Sequence, residues 1–187
     1  MAAEICVYCS SSTSIQDTFV EAAEQTGRLL ADRGYHLVFG GGSRGLMGTV
    51  ARAVQAHGGY VFGVIPEALK SKEGIAYELA DELVVTQTMQ ERKAIMFTRA
   101  DAFIVLPGGF GTLEELMEVL TLKILGYHDK AIALINTDGF YDPLLKLFEH
   151  FYHEHLAHEY TRGLYHIVST PDEALAYIEQ YHPPLLL

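Results

Sequence analysis

A chain of 187 residues, 49% hydrophobic and 20% charged, is long enough to bury a core and too apolar to stay disordered. Its formal net charge of −11 argues against a nucleic-acid backbone as partner, although a few focused basic groups can still hold one phosphate. No stretch approaches the roughly 20 apolar residues of a membrane span, and the N-terminus lacks a basic region followed by an apolar core, so a cytoplasmic protein with no membrane partner is expected.

Glu4–Cys9 reads as a first strand, followed by a small polar loop, Ser10–Ser14. Cys6 and Cys9 form a Cys-x-x-Cys pair, but positions three apart on a strand face opposite sides, whereas redox pairs of this spacing open a helix. Two reduced thiols are expected. Gln16–Arg33 has helical periodicity, with Phe19, Ala22, Ala23, Thr26, Leu29 and Leu30 on one face, and Gly34 breaks it. Tyr35–Phe39 is the second strand, Gly40–Gly45 a glycine-rich turn, Leu46–Ala56 a helix, and Tyr60–Ile65 a third strand ended by Pro66. Residues 67–80 have weak periodicity and read as a loop with a short helix. A strand at Glu82–Thr86 and a helix at Met89–Thr98 lead to the apolar strand Ala102–Leu106, and Thr112–Leu125 forms the next helix. Ala131–Ile135 is a strand, Asn136–Gly139 a polar turn, and Tyr141–His155 a helix with Pro143 tolerated in its first turn. Tyr165–Val168 and Pro171–Tyr181 supply the last strand and helix. The closing Pro183–Leu187 is too short for an anchor and reads as packing on a neighbouring subunit or fraying.

Strands alternating with helices predict an α/β fold: one Rossmann-like domain over 1–187, with a parallel sheet between two helical layers. Ligands of such sheets bind beyond the carboxyl ends of the strands. The loops at 10–14, 40–45 and 107–112 all follow strands, so they should crowd one edge.

Pro107 ends the apolar strand, and Gly108, Gly109 and Gly111 are read as permitting a turn that most side chains would forbid. Thr112 would start the helix, with Glu115 three residues on as a capping-box partner. A strand turning tightly into a helix gathers free N–H groups and the positive end of the helix dipole, which suits a phosphate. Gly40-x-Gly42-x-x-Gly45 matches the dinucleotide fingerprint, with Glu67 following 22 residues after Gly45. It follows the second strand, so a nucleotide contact through Gly42 and Ser43, or a packing turn, competes with a nicotinamide site. Arg92, Met96 and Arg99 share a helical face, which could clamp a phosphate or simply carry exposed charge pairs; Arg99 and Asp101 read as a structural pair. Glu114, Glu115 and Glu118 open the helix after the phosphate turn. A carboxylate there suits the dipole, yet beside a bound phosphate it suggests a task on developing positive charge. His150, His153, His155 and His158 lack a His-Glu-x-x-His pattern, Ala157 standing where the second His would be needed, so no metal is expected.

Pro107-Gly-Gly-x-Gly-Thr-x-x-Glu115, with Glu91-Arg-Lys93 and Gly41-Gly-Ser-x-Gly-Leu-Met-Gly48, resembles the LOG (Lonely guy) family over nearly the whole chain. Its members are cytokinin riboside 5'-monophosphate phosphoribohydrolases, formerly labelled lysine decarboxylases. Gln90, where His is usual, and Ser10, where Gly is frequent, depart from the pattern. The resemblance implies cleavage of a nucleoside 5'-monophosphate to an adenine-type base and ribose 5-phosphate, with no cofactor. It makes Arg92 and Glu115 catalytic, and Lys93, Gly108, Gly109, Phe110, Gly111, Thr112, Leu113, Glu114 and Thr121 substrate-binding. It also implies a homodimer. Glu118 is a candidate to protonate the leaving base. The competing readings are a pyridoxal-dependent decarboxylase using Lys93 and a nucleotide-binding module without catalysis. Plain AMP and a prenylated nucleotide are equally open.

Overall fold

The computed structural model describes residues 2–72 and 74–183, so most of the closing Pro183–Leu187 segment, residues 184–187, lies outside it. Seven strands, β1 (Glu4–Tyr8), β2 (His36–Phe39), β3 (Val61–Pro66), β4 (Glu82–Thr86), β5 (Ala102–Val105), β6 (Ala131–Ile135) and β7 (His166–Val168), form one parallel sheet in the order β4-β3-β2-β1-β5-β6-β7. The helices are α1 (Asp17–Asp32), α2 (Gly45–Ala56), α3 (Glu67–Lys70), α4 (Met89–Arg99), α5 (Phe110–Ile124), α6 (Asp142–His153) and α7 (Pro171–Glu179). The expected three-layer α/β arrangement is present.

Alternation along the strands sorts side chains onto two cores. Ile5, Val7, Leu37, Phe39, Ala102, Ile104, Ala133 and Ile135 pack with α1, α2 and α7. Cys6, Tyr8, Val38, Phe62, Phe103, Val105, Ile132 and Leu134 pack with α4, α5 and α6. Cys6 and Cys9 fall on opposite faces, both buried and both free, as the strand reading required.

The strand order reverses direction between β1 and β5, and the crevice beyond their carboxyl ends is where such a fold takes a ligand. Backbone bonds knit the loops there: Leu106 N–H to the Tyr8 carbonyl (2.9 Å) and Ser10 N–H to the Pro107 carbonyl (3.2 Å). Tyr141 adds its hydroxyl, donating to the Leu106 carbonyl at 2.7 Å.

Four stretches share the spacing Thr-x-x-Glu; Thr18 and Glu21 lie inside α1, and the other three do not behave alike. Thr88 and Glu91 form a capping box that fixes the start of α4, and Thr170 and Glu173 do the same for α7. The expected box at Thr112 and Glu115 does not form. Helix α5 begins two residues earlier, with Gly109 as its extended N-cap and Leu113 N–H bonded to the Gly109 carbonyl at 3.0 Å. Thr112 is therefore already inside the helix, and Glu115 is released from capping.

Candidate active site

The turn between β5 and α5 owes its glycines to something other than backbone strain. None of Gly108, Gly109 and Gly111 is left-handed, contrary to the conformational reason expected from sequence. A Cβ on Gly108 would lie 2.0 Å from Thr112 Oγ1, because Thr112 folds back over it. At Gly109 and Gly111 a Cβ would meet nothing within 4 Å. These two glycines keep an open surface clear at a helix start whose first amides, on Phe110, Gly111 and Thr112, receive no side-chain cap among the described residues. Open space, unspent N–H groups and the positive end of a 15-residue helix together favour an anion. Phe110 stands at the rim, 93% exposed, and Leu113 is partly buried against the core beneath α5.

The earlier glycine turn is closed by contrast. At the start of α2 the Met47 N–H already donates to the Ser10 carbonyl (3.3 Å), and a Cβ on Gly45 would lie 2.4 Å from the Ser12 carbonyl. The segment 74–77 also lies along this turn: Ser43 donates its N–H to the Ile75 carbonyl and its hydroxyl to the Gly74 carbonyl, both at 2.7 Å, and Tyr77 N–H reaches the Gly41 carbonyl at 2.8 Å. Gly42 is buried beside it, so this turn forms wall, with both Ser43 donors spent on protein. The dinucleotide fingerprint is thus a packing device here; Glu67 merely opens α3.

Arg92 and Glu115, 23 residues apart in sequence, meet between α4 and α5. Arg92 Nη1 donates to Glu115 Oε1 at 2.8 Å, and each residue is only 8% exposed. Arg92 is thus a buried, paired cation, not part of an exposed charged face. Its Nε donates to the Val64 carbonyl at 3.2 Å, and Met89 Sδ lies 3.3 Å from Nη1. Neither contact was legible in the sequence. Nη2 has no acceptor among the described residues and lies against the backbone at Gly40. Burial pushes the Glu115 carboxyl above its ordinary value, and the Arg92 charge and hydrogen bond only partly oppose this. A raised carboxyl paired with a fixed guanidinium in a cleft is an arrangement suited to acid–base work or to stabilising a cation.

Lys93, the next residue on α4, reaches Glu114 and, at 3.1 Å, Glu118. Burial acts to lower its pKa, but the hydrogen bonds from these two carboxylates outweigh it and hold the ammonium above its ordinary value. The acidic opening of α5 is therefore partly neutralised next to the anion site, Glu115 by Arg92 and its two neighbours by the single charge of Lys93. Arg99 leaves the group altogether: it binds Glu4 and stacks over Phe62 at 4.0 Å, while Asp101 accepts from the Glu4 N–H. The sequence pairing of Arg99 with Asp101 is replaced by a structural knot through Glu4. Thr121 is exposed nine residues beyond Thr112, about 13 Å along the helix axis. The chain itself does not bring Thr121 to the cradle. The histidines lie elsewhere, His150 and His153 exposed near Glu154 at the C-terminal end of α6.

Over residues 47–178 the chain matches the family described as "Possible lysine decarboxylase". It is 45% identical over 179 residues to the cytokinin riboside 5'-monophosphate phosphoribohydrolase LOG of Oryza sativa subsp. japonica, covering 96% of this chain and 74% of that one. It is 44% identical over 181 residues to the cytokinin riboside 5'-monophosphate phosphoribohydrolase LOG2 of Arabidopsis thaliana, covering 96% and 84%. Among solved structures, the molybdenum cofactor binding protein of the phototrophic bacterium Rippkaea orientalis is similar with a TM-score of 0.73 at 22% identity, over 96% of each chain. The molybdenum cofactor carrier protein of Chlamydomonas reinhardtii gives 0.73 at 21%, over 96% and 98%. At those identities the likeness is one of fold.

Proposed function

This chain belongs to the LOG family of cytokinin riboside 5'-monophosphate phosphoribohydrolases, and from that premise we propose that it hydrolyses the N-glycosidic bond of adenosine 5'-monophosphates. The substrate is plain or carries a cytokinin side chain, and the products are free base and ribose 5-phosphate. The observation that carries the reading is the buried Arg92–Glu115 pair, within two turns of an uncapped, glycine-lined helix start.

In this mechanism the 5'-phosphate sits on the amides of Phe110, Gly111 and Thr112, over Gly108 and Gly109. Its binding energy fixes the sugar–base bond beside the pair. As that bond breaks the ribose gains oxocarbenium character, and the Glu115 carboxylate stabilises this charge or takes a proton from the attacking water. Water supplies hydroxyl to the sugar and a proton to the base. Burial makes Glu115 a stronger base than an ordinary carboxylate, which suits water activation near neutral pH. Arg92 favours the ionised form against the pull of burial and fixes the carboxylate in place. Phe110 and Leu113 line the rim, and Gly42 and Ser43 form wall. Lys93 and Glu114 hold α4 against α5. Glu118 is engaged with Lys93, so no proton transfer is assigned to it.

A decarboxylase using pyridoxal phosphate needs a lysine that becomes a neutral amine. Lys93 is held charged by two carboxylates. Lys123, whose pKa burial lowers to about 8, lies at the far end of α5 and donates to the Lys130 carbonyl and the Tyr181 hydroxyl. Neither suits that chemistry at this cleft.

The reading includes a homodimer. Phe110, Met117 and Thr121 share one exposed stripe of α5, continued by Leu125 and Tyr127, both exposed. A second copy against this stripe would carry Thr121 toward its partner's cradle, which gives that residue a route to substrate. The domain is taken as a single unit in the cytoplasm, which suits two free, buried cysteines; among the described residues no helix is long and apolar enough to cross a membrane.

The test is incubation with AMP and with isopentenyl-AMP, following the free base by chromatography. Base release that is lost in Arg92→Ala and Glu115→Ala is expected. AMP that binds but stays intact would instead identify a nucleotide-binding module.

A further inference from the structure

Gly40 follows the last residue of β2, and its backbone is not left-handed, so an alanine there would meet no conformational penalty. Its surroundings are another matter. A Cβ built on Gly40 would lie 1.7 Å from Arg92 Nη2 and 2.8 Å from Arg92 Cζ. The remaining close neighbour is Met47 Sδ at 3.2 Å, a flexible thioether that can give by a few tenths of an ångström. The Nη2 end of the guanidinium thus points at a position with no side chain. The group's other edge is fixed by the Val64 carbonyl and by Glu115, so it cannot move aside and keep those bonds.

We propose that Gly40 is a positioning residue whose missing side chain seats the Nη2 end of the Arg92 guanidinium, so that Nε meets the Val64 carbonyl while Nη1 meets Glu115. The inference rests on the reading of Arg92 and Glu115 as the reacting pair, but its structural half can be tested without turnover. The clash is with the far end of a long side chain, not with backbone, so Gly40→Ala should fold with Arg92 displaced. Arg92 opposes the burial that raises Glu115, so its displacement should raise Glu115 further.

The experiment uses Gly40→Ala, Arg92→Ala and the double variant, with carboxyl-13C glutamate labelling to titrate Glu115 by NMR. Expected are a Glu115 pKa raised in Gly40→Ala in the same direction as in Arg92→Ala, and no further rise in the double variant. Turnover of AMP should fall about a hundredfold through kcat, as for a misplaced catalytic group, with the double variant no worse than Arg92→Ala. A Glu115 titration in Gly40→Ala identical to that of the unsubstituted protein would overturn the inference, as would additive losses in the double variant. Should Gly40→Ala not fold, the double variant decides: folding restored when the guanidinium is gone supports the clash, and continued failure refutes it. If Arg92→Ala itself retains full turnover, the catalytic reading fails, while the Glu115 titrations still judge the seat.

Discussion

Replacing Glu115 by Gln sets two opposed effects against each other. The carboxamide is close in size to the carboxylate, and its oxygen can still accept from Arg92 Nη1, now at 2.8 Å from Oε1. What is lost is the ionic attraction of a buried pair; what is relieved is the cost of keeping a carboxylate only 8% exposed. The raised pKa decides the sign: burial outweighs Arg92, so the charge on Glu115 is held at the expense of folding stability. A group raised above its ordinary value near 4.5 gives stability that is fully present below that pH and lost as pH climbs through the raised value. Glu115→Gln should escape that loss. At neutral pH it should be more stable than the parent by about 0.5–2 kcal/mol, the usual yield when a functional strain is removed. For a chain of this length that is about 1–8 °C in melting temperature. Turnover should meanwhile fall about 10²–10³-fold, as for loss of an electrostatic stabiliser. Calorimetry at pH 4 and pH 7 reads the effect: near-coincident melts at pH 4, and a higher melt for the variant at pH 7. A variant melting several degrees lower at pH 7 would mean that pairing outweighs burial, and the argument would be wrong.

The glycines of the cradle should separate by assay. Gly109→Ala meets nothing within 4 Å beyond its own turn and should leave folding stability within about 0.5 kcal/mol of unchanged while raising KM for AMP. Gly108→Ala drives a Cβ into Thr112 Oγ1 and should cost about 1–3 kcal/mol, read by urea denaturation. Met117→Asp, which puts a charge on the exposed stripe of α5, should shift sedimentation from dimer to monomer; an unchanged profile would move the interface elsewhere. Lys123 is lowered by burial from 10.5 to about 8, so the unfolded chain binds more protons between those values and the native protein gains stability as pH rises across them. Lys123→Met should abolish that gain, measured as the difference in denaturation midpoints at pH 8 and pH 10.5.

What the sequence by itself determined is what short-range physics sets. Unbroken apolar runs at 102–106 and 131–135 made strands, Gly34 closed a helix, and Thr88-x-x-Glu91 carries the spacing of the cap that starts α4. The spacing from Pro107 to Glu115 pointed to a strand turning tightly into a helix, which the structure has. Only the tertiary structure decided what those residues do to one another. The same Thr-x-x-Glu spacing caps α4 and α7 but at Glu115 leaves an acid for Arg92, because the helix at Gly109 begins before Thr112 can cap it. Of two glycine-rich turns, one is filled by the Ser10 and Ser12 carbonyls and the other stands open. Arg92 finds Glu115, and Lys93 finds Glu114 and Glu118, because the chain crosses from edge strand β4 to central strand β5 and lays α4 beside α5. Backbone preference and periodicity act over a few residues along the chain. Burial, charge pairing and the room left for a ligand depend on neighbours that only the order of strands brings together.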